Sequence, residues 1–496
     1  MTKNTFFFLI ILLLLLIPIV VPLVQPGFFV SDDGDWMVIR LSAFHETLKT
    51  GQFPVRFLER LNHGYGYPVT DFLYPLPFYL GEIIHLLGFN FVDSVKILFG
   101  MSFLLGAFSM FFYAKDKWGN QIGIIAAVFY TYFPYRIFDV YKRGSLGESV
   151  AFVFIPLVFL FYDRLVTTKN LIYLSFGALA TAAMITSHNT VAFLTLLVLI
   201  AYITTNLFSK TEKKWLILSS MSYLGLSLTL SAFFVIPALV DLQFTKTRLI
   251  TISDPTRFFL SLDNLLSLAG IPIMLITGAA IHLIRKGSRG VVFWTAISIV
   301  SILMAMSVSD VLWANLSSLS KLVQFPWRFL SITALAGAIL TGFLLSHYRI
   351  KILFPLLIIL PVIFSGILTL KIDRTFHPES YYTTNDDSTT VKNEYMPIWV
   401  KKDPTNLPKE KIAWIDSNLV RVNTVYFPGW AAYVNGQERE IIYQDDGLIK
   451  FAARPDDKIE LRFEETPLRA EANLVTILGI FLALALILLP PKSQIT

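Results

Sequence analysis

Long apolar runs, separated by short basic gaps and a few longer polar stretches, organise this chain. The first, Phe6 to Val24, follows Lys3 and matches the roughly 20 residues that a helix needs to cross a bilayer core. No small-residue cleavage signature follows it, so it is expected to be a retained anchor rather than a removed signal peptide. Further spans are expected at Ser94 to Tyr113, Asn120 to Pro134, Ser149 to Phe161, Leu171 to Ile185, Val191 to Leu207, Trp215 to Leu239 and Asn264 to Ile284. Val291 to Val308, Phe329 to Ser346, Ile350 to Leu370 and Leu474 to Leu489 follow, and with the anchor they make about twelve. Asp71 to Gly88 is apolar too, yet it carries Pro75, Pro77, Glu82 and His85. A charge at mid-span costs about 2.5 to 3.5 kcal/mol, so this piece is expected to lie along the interface.

Loop charge fixes the expected orientation. With a cytoplasmic amino terminus, the cytoplasmic gaps hold Lys115 and Lys117; Arg164 and Lys169; Lys210, Lys213 and Lys214; Arg285, Lys286 and Arg289; and Arg349 and Lys351. All are basic, as the positive-inside bias requires. The same orientation sends to the outer face the first loop (25–92), YKRGSLGE at Tyr141 to Glu148, SHNT at Ser187 to Thr190, Gln243 to Arg257, and KLVQFPWR at Lys321 to Arg328.

Between residues 371 and 470 the hydropathy drops for long enough to form a small separate domain. Its second half alternates as strands do: RVNTVYF, AAYV, REIIYQ, LIKFAA and KIELRFEE, with Asn435-Gly436 as a hairpin signal. The expected architecture is an all-α polytopic membrane domain over 1–370, an extracytoplasmic β domain over 371–470, and a last transmembrane helix with a short tail over 471–496. Composition agrees: 55% of the 496 residues are hydrophobic and only 15% charged. The net charge of +6 belongs to the orienting gaps, which argues against nucleic acid as a partner. There is no cysteine, hence no disulfide framework and no thiolate chemistry.

The motifs DDGDWMVIRL, GQFPVRF, GYGYPVTDFLYPLPFYLGE, PYRIFDVYKRGSLGE and TSHNT resemble the polytopic membrane family named as 6-pyruvoyl-tetrahydropterin-synthase-related. More distantly, the chain is similar to the GT-C glycosyltransferases, and the tail with YFPGWAAYVNGQ and ETPLR resembles the carboxyl-terminal part of YfhO-type membrane proteins. The family's name is not an activity here. A pterin synthase of that kind needs a three-histidine zinc site, and His45, His63, His85, His188, His282, His347 and His377 show no HxH or HxxxH spacing.

The GT-C resemblance implies an aspartate in the first outer loop that positions or deprotonates the acceptor, and a donor sugar carried on a polyprenyl phosphate. The matching position is Asp33, with Asp35 as second choice; where the family often has a histidine after the tryptophan, this chain has Met37. Such a transfer needs a base for the acceptor hydroxyl and cations for the departing phosphate. The candidates are Asp33, Asp35 and Glu148 for catalysis, and Arg40, Arg143 and Arg328 for the phosphate, because a guanidinium grips two oxygens at once. Trp36, Tyr65, Tyr67, His188 and Asn189 are the acceptor or pocket candidates. Asp32, Asp35 and Glu148 are candidate ligands for a divalent cation, Mg or Mn, which prefers carboxylate oxygen. A single displacement that inverts the anomeric centre is expected, since no dedicated nucleophile stands out.

Each residue also has a plainer reading. The DDGD run can cap a helix starting near Trp36 with Asp35 at the N-cap, and Trp36, Tyr65, Tyr67 and Trp327 can be interfacial anchors. Arg143 and Glu148 can pair on a surface, His188 and Asn189 can close a helix end, and Arg328 can snorkel to headgroups. At the level of function, a transporter of lipid or polysaccharide and a non-catalytic scaffold compete with a membrane glycosyltransferase acting on a glycan, lipid or protein acceptor. A transporter usually carries ionisable groups deep in its spans. Here they crowd the outer ends, as an integral plasma-membrane enzyme with an outer-face site would have them.

Overall fold

A computed structural model describes residues 3–209, 212–249, 254–284, 288–348, 359–360, 363 and 372–488. A helix stands at every expected span except Ile350 to Leu370, which lies outside the described residues but for 359, 360 and 363. Among the described residues, six helices are long and apolar enough to cross a membrane: Lys3–Val24, Phe91–Trp118, Leu146–Thr168, Asn189–Phe208, Pro326–His347 and Pro467–Leu488. Lys213–Leu230 and Ala232–Phe244 add a seventh if taken as one span bent by 71°. The expected twelve is not reached by these criteria. Asn120–Thr131, Ile172–Ile185 and Arg289–Met304 are short, and Leu262–Ile284 is broken at Gly270, whose φ is 80°.

Local chemistry sets the limits of these helices. Phe91–Trp118 starts where the Asn90 side chain accepts the Asp93 N–H at 2.7 Å, and stops at Gly119 with φ 89°. Asp71 to Gly88 folds as Val69–Phe72 and the 11-residue helix Leu76–Leu86. Eleven residues rise only about 16 Å, half the bilayer core. Its buried Glu82 is met by His45 Nδ1 at 2.8 Å, from the helix Gly34–Lys49 in the first loop.

The two ends of the bundle differ. At one end the basic gaps meet, with Lys117 on Asp163 at 2.6 Å, Lys115 on Thr5 at 2.8 Å and Arg164 on Asp116. At the other end the amino terminus of Leu146–Thr168 packs against the first loop. Asp32 N–H donates to the Lys142 carbonyl at 2.9 Å and Asp33 N–H to the Arg143 carbonyl at 2.8 Å.

The carboxyl-terminal segment begins by pairing with the first loop, Phe28 with Thr375 and Phe29 with Arg374. Its strands then form two antiparallel three-stranded sheets. One runs Ile412–Trp414, Leu419–Val425, Leu448–Ala452; the other runs Gln437–Arg439, Trp430–Val434, Ile459–Phe463. The expected hairpin is present, with positive φ at both Asn435 and Gly436. REIIYQ is strand only at its start, and Ile412–Trp414 is a strand without a clear alternation in the sequence.

A buried charge cluster locks this segment to the bundle. Arg56 meets Asp71 at 3.1 Å and Glu465 at 2.7 Å; Arg469 meets Asp241 at 2.8 Å and Asp71 at 3.4 Å. Arg469 also donates to the Pro428 carbonyl at 2.7 Å and lies over the rings of Phe427 and Phe463. The first loop, a bent span, the β domain and the last helix thus share one ion-pair network.

Candidate functional site

The DDGD turn is held open by what it rests on. Gly144 has φ 68°, and a Cβ there would come within 2.5 Å of the Gly34 nitrogen, so the loop and the KRG turn approach backbone to backbone. The helix starts at Gly34, with Asp33 before it at φ −120°, and the Asp33 side chain makes no capping bond. The expected N-cap at Asp35 is therefore displaced: Asp35 lies in the first turn and accepts the Tyr382 hydroxyl at 3.2 Å. Among the described residues, no cation lies within 4.0 Å of the half-buried Asp33 carboxylate.

Three guanidiniums nevertheless face it. Burial raises the Asp33 carboxyl above the usual carboxylate range, while Arg143, Arg40 and Arg328 act to lower it. Arg40 is buried and donates to the Thr389 hydroxyl at 3.2 Å and the Thr389 carbonyl at 2.6 Å, with no acid in contact among the described residues. Arg143 bonds Asp139 at 2.7 Å and Glu148 at 3.0 Å. Arg328 donates from one nitrogen to the Val323 carbonyl at 2.9 Å, while its Nε stands 3.9 Å from Glu148 and has no hydrogen-bond partner. Phe325 lies under both Arg143 and Arg328, at 6.0 and 5.0 Å, and is stacked on Trp327.

Two plainer readings fail on burial. The Arg143–Glu148 pair is not a surface pair, since the Glu148 side chain is 0% exposed. Arg328 is buried among Thr190, Val323 and Gln324 and does not reach outward to headgroups. Burial and the Glu148 charge push the Asp139 carboxyl well above its usual range.

Tyr74 carries no mark in the sequence, yet it sits in the field of Arg40, Asp33, Arg328 and Arg143. Gly147 makes room for it, since a Cβ there would stand 2.2 Å from the tyrosine ring. The His188 ring lies 5.2 Å away, and burial together with Arg328 and Arg143 pushes its pKa well down. A neutral His188 accepts the Val191 N–H at 3.2 Å, closing the helix end, and Asn189 donates to the Phe72 carbonyl at 2.9 Å. Tyr135, equally unmarked, donates to Glu148 at 2.8 Å; only its place in PYRIFDVYKRGSLGE could have pointed to it.

Other candidates lie apart. Asp32 is exposed, 3.9 Å from Lys142, and Asp35 faces Tyr382. Both Glu148 oxygens are taken, by Tyr135 and Arg143. The expected cation set of Asp32, Asp35 and Glu148 is thus not brought together, and no three His, Cys, Asp or Glu side chains gather as ligands among the described residues. Tyr67 is buried with its hydroxyl 2.8 Å from Thr390, Tyr65 lines a crevice toward the β domain, and Trp36 packs half-buried on the core. A cavity of about 320 Å³ borders the loop, walled by Val30, Pro134, Ile137, Phe138 and Leu268, with Lys142 and Asp373 as its charged members.

The family model for the 6-pyruvoyl-tetrahydropterin synthase related domain, a membrane protein domain, matches residues 71–375. The chain belongs to this family of membrane proteins. A Lactococcus lactis subsp. cremoris (strain MG1363) protein described as uncharacterized is 22% identical over 249 residues, 49% of this chain and 41% of that protein. Among solved structures, the Archaeoglobus fulgidus oligosaccharyltransferase tethered to an acceptor peptide superposes with TM-score 0.52 at 13% identity, over 83% of this chain and 61% of that one. A mutant of the arabinofuranosyltransferase AftD from Mycobacteria gives TM-score 0.50 at 17% identity, over 72% of this chain and 28% of AftD. The likeness to these two structures is one of fold alone, and the chain spans less than two thirds of the length of each of these three proteins.

Proposed function

We propose that this member of the 6-pyruvoyl-tetrahydropterin synthase related family is a GT-C-type membrane glycosyltransferase. It moves a sugar from a polyprenyl-phosphate-linked donor to an acceptor on the outer face of the plasma membrane. The observation that carries this reading is Asp33: a half-buried carboxylate without a contacting cation, facing Arg40, Arg143 and Arg328. An unpaired carboxylate is free to take a proton, and guanidiniums that are not all used up by acids are free to take a phosphate.

In this scheme Asp33 accepts the proton of the acceptor hydroxyl as its oxygen attacks the anomeric carbon. The bond from that carbon to the phosphate oxygen breaks on the opposite side, which inverts the centre, and the electron pair leaves with the polyprenyl phosphate. Arg40 and Arg328 take up the phosphate charge, while Arg143, held by Asp139 and Glu148, fixes the field around it. The apolar walls of the cavity beside Lys142 suit isoprenoid carbon. The basic gaps at the opposite end of the bundle favour an outer-face site, and the β domain over 371–470 then stands outside the membrane above the acceptor. The phosphate charge is met by arginines, so the scheme needs no step through a cation held by Asp32, Asp35 and Glu148.

The test supplies purified protein with a panel of polyprenyl-phosphate sugars and follows release of the lipid phosphate. Wild type is expected to turn over one of them and Asp33→Asn to lose that turnover. Equal turnover by both removes Asp33 from the mechanism; release from none of a broad panel of sugars, with acceptors supplied, sinks the transferase.

A further inference from the structure

The segment that closes over Arg40 comes from the far end of the chain. Between Ser388 and Met396 the backbone is left-handed at three non-glycine residues, Thr389 (φ 59°), Lys392 (φ 62°) and Asn393 (φ 50°). Such conformations persist only where surrounding contacts impose them. Here they do: Arg40 holds both Thr389 oxygens, and the Tyr67 hydroxyl bonds Thr390 at 2.8 Å and accepts the Tyr395 N–H at 3.0 Å. Thr247 donates to the Glu394 carbonyl at 2.9 Å.

Glu394 rides on this strap. It is 8% exposed, and its Oε2 has no hydrogen-bond partner, an expensive state for a buried carboxylate oxygen. The groups that face it are Arg40 from the helix Gly34–Lys49, Tyr67 from the first loop, and Thr390 and Tyr395 on the strap itself. The nearby Lys246 is occupied by Asp403 at 2.6 Å. Two carboxylates, Asp33 and Glu394, therefore face one guanidinium that touches neither.

We propose that Glu394 is a residue of the same site and competes with the phosphate of the lipid-linked donor for Arg40, so that the anion enters together with a proton on Glu394. This rests on the reading of the Asp33 and arginine cluster as a phosphate site. Burial and the Glu148 charge hold Asp139 toward its neutral form, so with Asp33, Glu148 and Glu394 ionised the carboxylates match the guanidiniums of Arg40, Arg143 and Arg328 and leave no net positive charge for a further anion. A proton on Glu394 removes the carboxylate charge that the strap adds to the field of Arg40. Burial raises the Glu394 carboxyl to about 7, so the exchange falls in the ordinary pH range.

The test uses the full chain in detergent and undecaprenyl methyl phosphate, a phosphodiester whose single charge is fixed across that range. Wild-type affinity is expected to fall about tenfold between about pH 6 and about pH 8, as linkage to one proton requires, while Glu394→Gln binds at the tighter level at both. The same fall in both proteins overturns the proposal, as does a wild-type affinity that does not change with pH. Should the variant not fold, calorimetry on wild type in two buffers of different ionisation enthalpy at about pH 8 decides the same question: uptake of close to one proton supports the competition and no uptake overturns it. A wild type that binds the probe at no pH removes the phosphate site itself, and with it the role of Glu394.

Discussion

Two buried clusters in this protein are built from the same side chains and end up in opposite states. Around Arg56 and Arg469 each of the three acids, Asp71, Asp241 and Glu465, touches a guanidinium. Around Arg40, Arg143 and Arg328 the acids on one side, Glu148 and Asp139, are paired, but among the described residues Asp33 has no cation in contact and Arg40 bonds only to Thr389 and Met37. A closed network of charges offsets part of its desolvation and serves as a joint. An open one leaves that cost standing, and a site that binds an anion and moves a proton is the kind of place where it is retained.

Loss of one acid should have opposite effects in the two clusters. Asp33→Asn is expected to lower lipid-phosphate release by about 10²- to 10⁴-fold, the usual worth of a positioned base, while the melting temperature stays the same or rises. A large loss of stability would instead make Asp33 part of a joint. Asp71→Ala should do the reverse. It strips Arg56 and Arg469 of a shared partner in a fully buried setting, where removal of one member of a pair typically costs about 3–5 kcal/mol. Denaturation of the detergent-solubilised protein checks this, and a near-neutral result would mean that the β domain is held to the bundle by something other than this network.

The open cluster was far more legible in the sequence than the closed one. Asp33, Arg143 and Glu148 stand in motifs rich in Gly and charge beside apolar runs, and topology alone sends those motifs to one end of the bundle. The closed cluster joins Asp71 to Arg469 across almost the whole chain, and no periodicity links them. Glu394 was invisible for a related reason: it lies in a stretch of low hydropathy without a motif, and only the contacts of the strap with Arg40 and Tyr67 bring it to the site. Tyr74 could be read only as part of an interfacial helix, because what makes room for it is Gly147, on another element. The expected cation set failed because spacing tells which acids share a face, not which are already taken: Glu148 was spoken for by Tyr135 and Arg143.

Smaller effects sharpen the contrast. In the folded chain the Glu394 carboxyl is raised from 4.5 to about 7, so between those values the native state holds more proton than the unfolded one. Stability therefore falls as pH rises through that window. Glu394→Gln removes this dependence, so its melting temperature should gain on wild type as the pH goes from about 5 to about 8; parallel curves would mean that burial does not raise the Glu394 carboxyl in the folded chain.

The smallest effect belongs to Asp32, and it decides where the open cluster ends. Asp32 and Lys142 are both exposed and stand 3.9 Å apart, so water screens their attraction and the pair is worth at most about 1 kcal/mol. Its backbone, not its side chain, holds the turn, through the bond from its N–H to the Lys142 carbonyl, which any residue can make. Asp32→Asn should accordingly leave both the melting temperature and the release of lipid phosphate close to wild type. If release instead fell as far as in Asp33→Asn, while the melting temperature held, the second carboxylate of the turn would have to act on the substrate directly. The site would then extend outward past Asp33 to the exposed face of the loop, and a cation shared between Asp32 and the donor phosphate would again account for the chemistry better than the arginines alone.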